Sequence, residues 1–523
     1  MTPDKDKDLK DKSSASAGDK TAQAPAPGNS APAPGSKPSP APGGKTAAKP
    51  FSEEDFKQRI EQVKVTRWIR FSLVALVWTL FCIWLGNLWL LIVLPLLFDI
   101  YITGYIPFSW WKHSPHKIVR TLMGWVDAIV YALILVYFLF AFVGQQYKIP
   151  SSSLEKTLLV GDYLWVNKAV YGPRVPQTPI HFPLAQHTFP WGGKSYSDLI
   201  QLEYHRLPGL RNVERYDIVV FNAPMEDSVL TKRTDRDPDY YHLVQMLESD
   251  PQAGITDGRR FIKEHPEMFG ELIRRPVDRR ENFVKRVVGL PGERFKIVND
   301  IIYINGKPLK EPENVQHNYI VPVNAPISPE EWESIGVSAA DIPMLTESPL
   351  FENKIYELPL TSDMAAATAR LPQVAGKIER VSSYGEHVAG IFPLSDRIGW
   401  TQENMGEFWI PKQGYTLHLT ANNLPIYRRA IETYEGNKVD VTPDGKIYIN
   451  GKQTEYYTFK LDYYWMMGDN RDNSADSRYW GFVPEDHVIG TPWRVLISFD
   501  SDKPLFKGGI RWNRMLHEAN PDK

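Results

Sequence analysis

Three consecutive serines, Ser151, Ser152 and Ser153, stand a few residues after the last long apolar segment of the chain. A serine hydroxyl becomes an effective nucleophile only when a neighbouring base removes its proton. A serine cluster is more often an ordinary polar turn, and the three residues alone leave that interpretation open. Their place beside an apolar segment favours the chemical interpretation, because that segment predicts a membrane surface close by.

A lysine with apolar neighbours is the second candidate. The segment Phe283–Gly292 reads FVKRVVGLPG, and in a strand the period of two places Phe283, Lys285 and Val287 on one face. Burial disfavours the charged form of a lysine and lowers its pKa, which would make Lys285 a general base near neutral pH. The alternative is an edge-strand lysine that reaches water. A serine activated by such a lysine would need neither histidine nor aspartate.

The segment Gly468–Gly481 combines three aspartates with two arginines. Its density of Asp and Asn suggests a calcium loop, but the spacing excludes one. Counting from Asp469 puts Arg471 at the third ligand position and Trp480 where the bidentate glutamate should stand. The alternating charges instead predict an ion-pair network that holds a site rigid, with a serine hydroxyl as an orienting group.

The composition excludes several classes of protein. The chain has 523 residues with 60 Lys+Arg and 62 Asp+Glu, a net charge of −2, which argues against a nucleic-acid binder with a strongly basic surface. A single cysteine, Cys82, excludes an internal disulfide framework and a multi-cysteine zinc site. The first 50 residues lack aromatic side chains, whereas the next 100 are crowded with Trp, Phe and Leu. A uniform soluble enzyme is therefore excluded.

The N-terminal third predicts a tail and a membrane anchor. Residues 1–50 are rich in Ala, Pro and Gly and are predicted to be disordered, and residues 51–67 to form a short cytoplasmic helix. A bilayer-spanning helix needs ~20 apolar residues. Three spans are therefore expected, at about 68–85, 88–106 and 121–143. A re-entrant hairpin of the first two runs, or buried helices of a soluble protein, are the alternatives.

The flanking charges predict the orientation of these spans. Basic residues precede the first span and lie between the second and third, whereas the Gly86-Asn87 turn carries no charge. These basic residues are Arg59, Lys64, Arg67, Arg70, Lys112, Lys117 and Arg120. The positive-inside rule then places the N-terminus in the cytoplasm and everything after Val143 outside it. If the first two runs formed a re-entrant hairpin instead, the residues after Val143 would still lie outside the cytoplasm.

The remainder of the chain predicts a mainly β domain. Short strand-like runs are broken by Gly, Pro and Asn, and the hairpin signal IYINGK occurs at Ile302–Lys307 and again at Ile447–Lys452. Residues 144–310 and 441–523 are expected to form the first and second parts of this domain. Residues 311–440 mix helical and extended patches and are expected to form an inserted α+β subdomain.

Taken together, the three candidate segments resemble the bacterial type I signal peptidases, also called leader peptidases. The nucleophile motif of that family, Pro-Ser-x-Ser-Met, aligns with Pro150–Leu154, and its lysine motif, Lys-Arg-x-x-Gly-x-Pro-Gly, with Lys285–Gly292. Its late motif, Gly-Asp-Asn-x-x-x-Ser-x-Asp-Ser-Arg, aligns with Gly468–Arg478. Shorter family motifs align with Gly161-Asp162 and with Arg215–Val219. The departures are Leu154 for Met, Ser152 for Gly and Tyr216 for Gly.

The resemblance implies a role for each site residue. Ser153 is the expected nucleophile and Lys285 the expected general base of a Ser–Lys dyad. The oxyanion hole is expected at the Ser151 hydroxyl and the Ser153 backbone N–H. Ser474 is expected to orient the lysine. The supporting charged residues are Asp476, Arg478, Asp469 and Arg286. No metal or cofactor is implied.

The resemblance also implies a place and a substrate. It predicts a multi-pass protein of the bacterial cytoplasmic (inner) membrane with a mainly β, signal-peptidase-like catalytic domain outside the cytoplasm. The expected partners are preproteins with Ala-x-Ala-like signal-peptide ends, the lipid bilayer and the neighbouring export translocon, with no nucleic acid. One alternative is a self-cleaving repressor of related fold, which would need a DNA-binding domain and no spans. The other is a non-catalytic membrane-anchored scaffold or binding protein on the same fold.

Overall fold

The computed structural model describes most of the chain after the N-terminal tail. The described residues are 57, 60–234, 237–338, 342, 354–381, 390–395, 398–500, 503–504 and 508–520. The predicted disordered tail (1–50) and residues 51–56, 58 and 59 of the predicted helix at 51–67 lie outside this set.

Two long apolar helices and a shorter helical segment form the N-terminal part. The helices are α1 (Val65–Leu85), α2 (Leu94–Phe98) and α3 (Lys117–Phe138). Helix α1 and the continuous helical segment Lys117–Val143 are long and apolar enough to cross a membrane, whereas the apolar segment between them, Leu88–Thr103, is shorter. Gly86 ends α1 at a φ of 72°, so the predicted turn is present. Three spans remain a prediction.

A seven-stranded antiparallel sheet contains the strands that precede or carry the three candidate segments. Its order is β1-β2-β21-β3-β6-β19-β20, so β1 lies at one edge. The strands are β1 (Gly144–Lys148), β2 (Asp162–Asn167), β3 (Ile218–Asn222), β6 (Asn282–Gly289), β19 (Tyr463–Met467), β20 (Val483–Pro484) and β21 (Val488–Ser498). Two apolar clusters pack against this sheet, one around Leu154 and Val220 and the other around Phe221 and Trp480.

A second sheet and several hairpins continue the β domain. These strands are β7 (Arg294–Val298), β8 (Ile301–Ile304), β9 (Lys307–Pro308), β13 (Met405–Trp409), β14 (Thr416–His418), β15 (Val439–Val441), β16 (Ile447–Ile449), β17 (Lys452–Gln453) and β18 (Tyr456–Thr458). Both IYINGK segments form hairpins, β8–β9 and β16–β17. Each turn has positive φ at Asn and Gly, 51° and 79° at Asn305-Gly306 and 51° and 80° at Asn450-Gly451. The hairpin prediction is confirmed.

The residues between the two parts of the β domain pack into two different hydrophobic cores. Strands β10 (Gln316–Pro322), β11 (Ile355–Thr361) and β12 (Glu379–Arg380), with helices α7 (Pro329–Ile335) and α8 (Ser362–Thr368), surround a cluster of their own that includes Trp332. By contrast, β13 and α9 (Leu424–Arg429) contribute Phe408 and Tyr427 to the core that contains Phe295 and Trp465.

A helical segment that was not predicted from the sequence interrupts the first part of the β domain. It contains β4 (Ser228–Leu230), α4 (Tyr240–Ser249), α5 (Gly258–Glu264), α6 (Pro266–Phe269) and β5 (Leu272–Arg274), and the short helix α10 (Ser477–Trp480) lies in the late motif. Asp239 caps α4 by accepting the Tyr241 N–H at 2.9 Å and the His242 N–H at 3.1 Å. The fold as a whole is mainly β, with apolar helices near its N-terminus.

Candidate active site

Ser153 lies in a single helical turn, Ser152–Leu154, between β1 and β2. Its side chain is 7% exposed, and the Ser151 hydroxyl lies 3.5 Å from its Oγ. Leu154, at the position where the family motif has Met, is buried in the apolar cluster beneath β1 and β2 and anchors this turn. Within the described part of the chain, the Ser153 backbone N–H donates no hydrogen bond. This N–H group is therefore available to an incoming acceptor.

Lys285 lies in the interior of β6 and is 5% exposed. Phe283 and Val287, its neighbours at the period of two, both pack in the cluster that contains Trp480, as the alternation predicts. Among the described residues, no acceptor or carboxylate forms a hydrogen bond or ion pair with the Lys285 side chain. Burial lowers the pKa of Lys285 to about 8, although the nearby negative charge of Asp476 acts in the opposite direction. The neutral form of the Lys285 amine is therefore populated near neutral pH.

Gly468 is the point at which the three motifs meet. In the register of β19 with β6, Met467 lies opposite Arg286, so the next residue, Gly468, continues toward Lys285. A Cβ atom at Gly468 would lie 2.2 Å from the Ser474 Oγ and 2.6 Å from the Ser153 carbonyl oxygen. Only glycine fits this close approach. The serine turn, the lysine strand and Ser474 therefore surround one backbone position.

Hydrogen bonds hold the serine turn against the loop that follows β19. The Asn470 backbone N–H donates to the Ser153 carbonyl at 3.1 Å, and the Asn470 side-chain amide donates to the Ser152 carbonyl at 3.3 Å. The Gly468 N–H donates to Asp476 Oδ2 at 3.1 Å. These hydrogen bonds fix the loop to the serine turn and, within the loop itself, to Asp476.

The predicted charge network consists of two separate buried ion pairs. Arg478 donates from Nε to Asp476 Oδ1 at 2.9 Å and from an Nη to Oδ2 at 2.8 Å. Arg286 donates to the two carboxylate oxygens of Asp469 at 2.8 Å each. All four side chains are at most 2% exposed. Bidentate pairs of this kind set the orientation of both partners.

Replacing Asp469 with asparagine is expected to destabilise the fold by ~3 to 5 kcal/mol, because it leaves the Arg286 guanidinium buried without its counter-charge. The measurement is guanidinium unfolding of the full chain in detergent, followed by tryptophan fluorescence. A matched control is Glu407→Gln, which breaks the exposed Arg294–Glu407 pair of 2.9 Å and should change stability by less than ~1 kcal/mol. Equal effects of the two substitutions would contradict the structural role of the buried pair.

Two side-chain contacts at the site and the backbone conformation of Tyr216 were not predicted from the sequence. Thr157 donates to Asp469 Oδ2 at 2.7 Å, and Arg471 donates to Glu311 at 2.6 Å. Burial alone would raise the pKa of Glu311, but the charges of Arg471 and His317 outweigh it and lower this pKa to about 2. Tyr216 has a φ of 68°, which explains why the family motif carries glycine there. The only sequence signal was the mismatch at Tyr216.

Comparison with known proteins gives an independent result. The chain matches the family described as "Signal peptidase, peptidase S26" over residues 122–324 and 458–496, two ranges that contain all three candidate segments. It is 23% identical to signal peptidase I of Buchnera aphidicola subsp. Schizaphis graminum over 391 residues, which is 73% of this chain and 77% of that relative.

Two further relatives carry the same name. Signal peptidase I of Haemophilus influenzae is 22% identical over 391 residues, covering 73% of this chain and 72% of its own. Signal peptidase I of Buchnera aphidicola subsp. Acyrthosiphon pisum is 56% identical, but over 52 residues that make up 10% of this chain and 17% of that protein.

These similarities, in a chain whose fold is mainly β, indicate the class of protein: a serine peptidase, and so a hydrolase. The particular family follows from the same matches. The chain matches the signal peptidase family, peptidase S26, over the two ranges given above, and these similarities indicate the removal of signal peptides as its activity.

Proposed function

We propose that this signal peptidase cuts exported preproteins with Ser153 as nucleophile and Lys285 as general base. The observation that carries the proposal is the meeting of the serine turn, β6 and Ser474 at Gly468, with Lys285 buried and unpaired among the described residues. A lysine in this state can accept a proton near neutral pH, which an exposed lysine cannot.

The reaction follows from these positions. The Ser153 Oγ attacks the carbonyl carbon of the bond to be cut while its proton passes to the neutral Lys285 amine. The resulting ammonium protonates the leaving amine, which leaves an ester between Ser153 and the signal peptide. Lys285, neutral again, takes a proton from water, and the hydroxide formed attacks the ester. The Lys285 ammonium returns that proton to the Ser153 Oγ as the ester bond breaks, which regenerates Ser153 and the neutral amine and releases the signal peptide with a new carboxyl group.

The oxyanion formed in both attacks needs donors that are already in place. The Ser153 backbone N–H, which has no partner in the described structure, and the Ser151 hydroxyl, 3.5 Å from the Ser153 Oγ, are the proposed donors. In serine hydrolases of other folds one such donor is worth ~3 kcal/mol of transition-state stabilisation. The anchored Leu154 supports this geometry because it holds the turn against the core.

Ser474 is the proposed positioning residue for Lys285. Its hydroxyl lies against Gly468, and its loop is held by the Asp476–Arg478 pair. The Asp469–Arg286 pair secures the residue next to Lys285 in the same strand. The Asp476–Arg478 pair thus supports the loop that carries Ser474, and the Asp469–Arg286 pair supports the strand that carries Lys285.

The proposed substrate lies along β1 and the adjoining Ile149, the run of residues that leads into the serine turn. Strand β1 is the terminal strand of its sheet and runs into the serine turn five residues later. An extended signal-peptide end can add to such an edge through backbone hydrogen bonds, while shallow pockets admit only small side chains. The preference for Ala-x-Ala-like sequences comes from the family resemblance, and an exposed strand edge before the serine turn is compatible with it.

The proposed location is the bacterial inner membrane, with the catalytic domain outside the cytoplasm and close to the export translocon. Helical segment Lys117–Val143 leads directly into β1, and the ten residues from Val143 to Ser153 can extend at most ~35 Å. The nucleophile therefore stays near the membrane surface. The N-terminal basic residues support a cytoplasmic N-terminus, whether α1 and the following run form two spans or one hairpin.

Residues 311–440 are proposed to contain an inserted α+β subdomain. The separate core around Trp332 supports this for the part that contains β10, β11 and β12. The Gln316 N–H donates to the Asp469 carbonyl at 2.8 Å, and the Asn318 N–H donates to Asp472 at 2.6 Å. The subdomain is thus attached to the loop that carries Ser474.

The test is cleavage of a preprotein with an Ala-x-Ala site by the full chain in detergent. We expect cleavage directly after the second alanine, and its loss when that alanine is replaced with leucine, because a site that selects alanine by size has no room for the larger side chain. Sequencing of the product N-terminus identifies the bond. Binding of the preprotein without cleavage, under conditions in which another signal peptidase cuts it, would favour the non-catalytic scaffold.

A further inference from the structure

A cavity of about 480 Å³ lies where the helical segment between β4 and β5 meets the residues that follow α9. Tyr240 of α4, Arg259 of α5 and Arg274 of β5 line one side, and side chains from residues 432–438 line the other. Among the described residues, none of β1, the serine turn or β6 lines this cavity. It is therefore separate from the proposed dyad and from the proposed substrate strand. Its volume lies in the range of ~300 to 1,000 Å³ that small-molecule sites occupy.

The wall of this cavity is rich in cations. Its described part contains five basic side chains against two carboxylates, those of Asp227 and Glu432. The basic residues are Arg259, Arg274, Arg275, Arg280 and Lys438. Three of them are neutralised by ion pairs of 2.5 to 3.2 Å, Arg274 with Asp227, Arg275 with Glu226 and Lys438 with Asp440. Arg259 and Arg280 form no ion pair with a carboxylate of the described residues.

Arg280 is a buried guanidinium that is held in place by neutral groups. It is 6% exposed, and it donates from Nη1 to His487 Nε2 at 2.7 Å and from Nε to the Arg275 carbonyl at 3.3 Å. Because a guanidinium only donates, His487 accepts at Nε2 and carries its proton on Nδ1, 2.6 Å from Asp486. Asp227 and Asp486 act on Arg280 only from beyond ion-pair distance. An anion in the cavity would supply the missing counter-charge.

Two further donors line the cavity without a partner among the described residues. Arg259 is exposed on α5, and its guanidinium forms neither a hydrogen bond nor an ion pair there. Tyr240 is 5% exposed, and its hydroxyl has no hydrogen-bond partner in the described part of the chain. The neighbouring Tyr241 hydroxyl, by contrast, donates to Asp227 at 2.6 Å. Donors from the helical segment and from the residues before β6 thus remain available at one cavity.

The charge and the surface of the cavity indicate a class of ligand. Two unpaired guanidinium groups match a phosphate monoester, which carries a charge of about −1.5 to −2 at pH 7, whereas one carboxylate supplies only about half of that. Its three terminal oxygens offer acceptors for both guanidinium groups and for a hydroxyl. The described wall contains no aliphatic side chain, so it offers no surface to the hydrocarbon chain of a lipid. The wall beyond the arginines includes Thr433 and Asn437 and is polar.

We propose that this cavity binds a phosphorylated polyol or sugar, with Arg259, Arg280 and Tyr240 donating to the phosphate group. Inorganic phosphate shares this chemistry but would leave most of the 480 Å³ unfilled. Arg259 and Tyr240 belong to the helical segment, whereas Arg280 leads into β6. The bound phosphate would therefore join the helical segment to the catalytic domain. The proposal does not depend on the proposed catalytic residues.

The test is isothermal titration calorimetry of the full chain in detergent and phosphate-free buffer, with glucose 6-phosphate as the probe. We expect it to bind at least tenfold more tightly than inorganic phosphate, and glucose not to bind. Arg259→Gln should weaken the binding of glucose 6-phosphate about tenfold, as expected for the loss of one charge-assisted hydrogen bond. The matched control is Arg260→Gln, at the next position of α5. Arg260 is exposed, pairs with Glu264 at 2.8 Å and is not part of the described cavity wall, so this variant should bind as the original chain does.

Two variants test the buried donors. Arg280→Lys keeps the charge but loses the planar fork of donors, and Tyr240→Phe keeps the packed ring but loses the hydroxyl, so both should bind glucose 6-phosphate more weakly. If Arg280→Lys fails to fold, Arg259→Gln and Tyr240→Phe provide the same decision. Equal affinity for glucose 6-phosphate and inorganic phosphate, or equal losses in Arg259→Gln and Arg260→Gln, would overturn the proposal. Tighter binding of a glutamate-rich peptide would also overturn it, because the cavity would then accept the carboxylates of a protein partner.

Discussion

Replacing Ser153 with alanine is expected to lower kcat for preprotein cleavage by a factor on the order of 10⁶, as loss of the nucleophile does in other serine peptidases. The reason is that the ester intermediate can form on no other side chain in this geometry. The fold should be retained, since the side chain removed is one hydroxyl and the turn is held by Leu154 and by Asn470.

The two neighbouring serines provide matched controls. Ser151→Ala removes a proposed oxyanion donor and should lower kcat by about 10² to 10³. Ser152→Ala removes a hydroxyl without a proposed role and should leave kcat nearly unchanged, because the contact of this residue with Asn470 uses its backbone carbonyl. Full activity of Ser153→Ala, or a larger loss in Ser152→Ala, would show that the nucleophile is assigned to the wrong residue.

Replacing Lys285 with methionine should lower kcat by at least ~10⁴, because methionine fills the same buried volume but accepts no proton. Arginine distinguishes a base from a mere positive charge, since its guanidinium cannot be deprotonated in proteins. Lys285→Arg should therefore be as inactive as Lys285→Met. Activity retained by the arginine variant would mean that Lys285 supplies charge rather than proton transfer.

The pH dependence tests the same role without a substitution. Only the neutral amine accepts the Ser153 proton, and burial lowers the pKa of Lys285 to about 8. Below that pH, kcat/KM should rise about tenfold per pH unit, and above it the profile should level off. Single-turnover cleavage between pH 6 and 10 measures this. A flat profile through pH 8 would contradict a lysine base.

Local features of the site could be predicted from the sequence. The Asn-Gly hairpins at 305–306 and 450–451 require only the turn residues and their strand-like flanks. The face shared by Phe283 and Val287 follows from the period of two. The charge pattern of the late motif predicted an ion-pair network, and the family resemblance named Asp476 and Arg478, two positions apart in the chain, among its charged residues.

Features that depend on distant parts of the chain could not be predicted in this way. The partner of Arg286 lies 183 residues away at Asp469, and no local pattern selects it from the other acids. The contact of Arg471 with Glu311 joins residues that are 160 positions apart. It depends on how β10 packs against the loop that follows β19. The helices between β4 and β5 were not predicted either, because they are only 4 to 10 residues long and runs of that length do not distinguish a helix from a strand.

The dyad itself is tested most directly by locating the acyl group. A peptide ending in Ala-x-Ala and carrying a reactive ester at its C-terminus would acylate the nucleophile, and peptide mapping by mass spectrometry would identify the modified residue. We predict acylation of Ser153 above pH 8 in the chain without substitutions, and no acylation in Lys285→Met under the same conditions. An acyl group on Ser151 or Ser152, or undiminished modification of Ser153 in Lys285→Met, would contradict the Ser153–Lys285 mechanism.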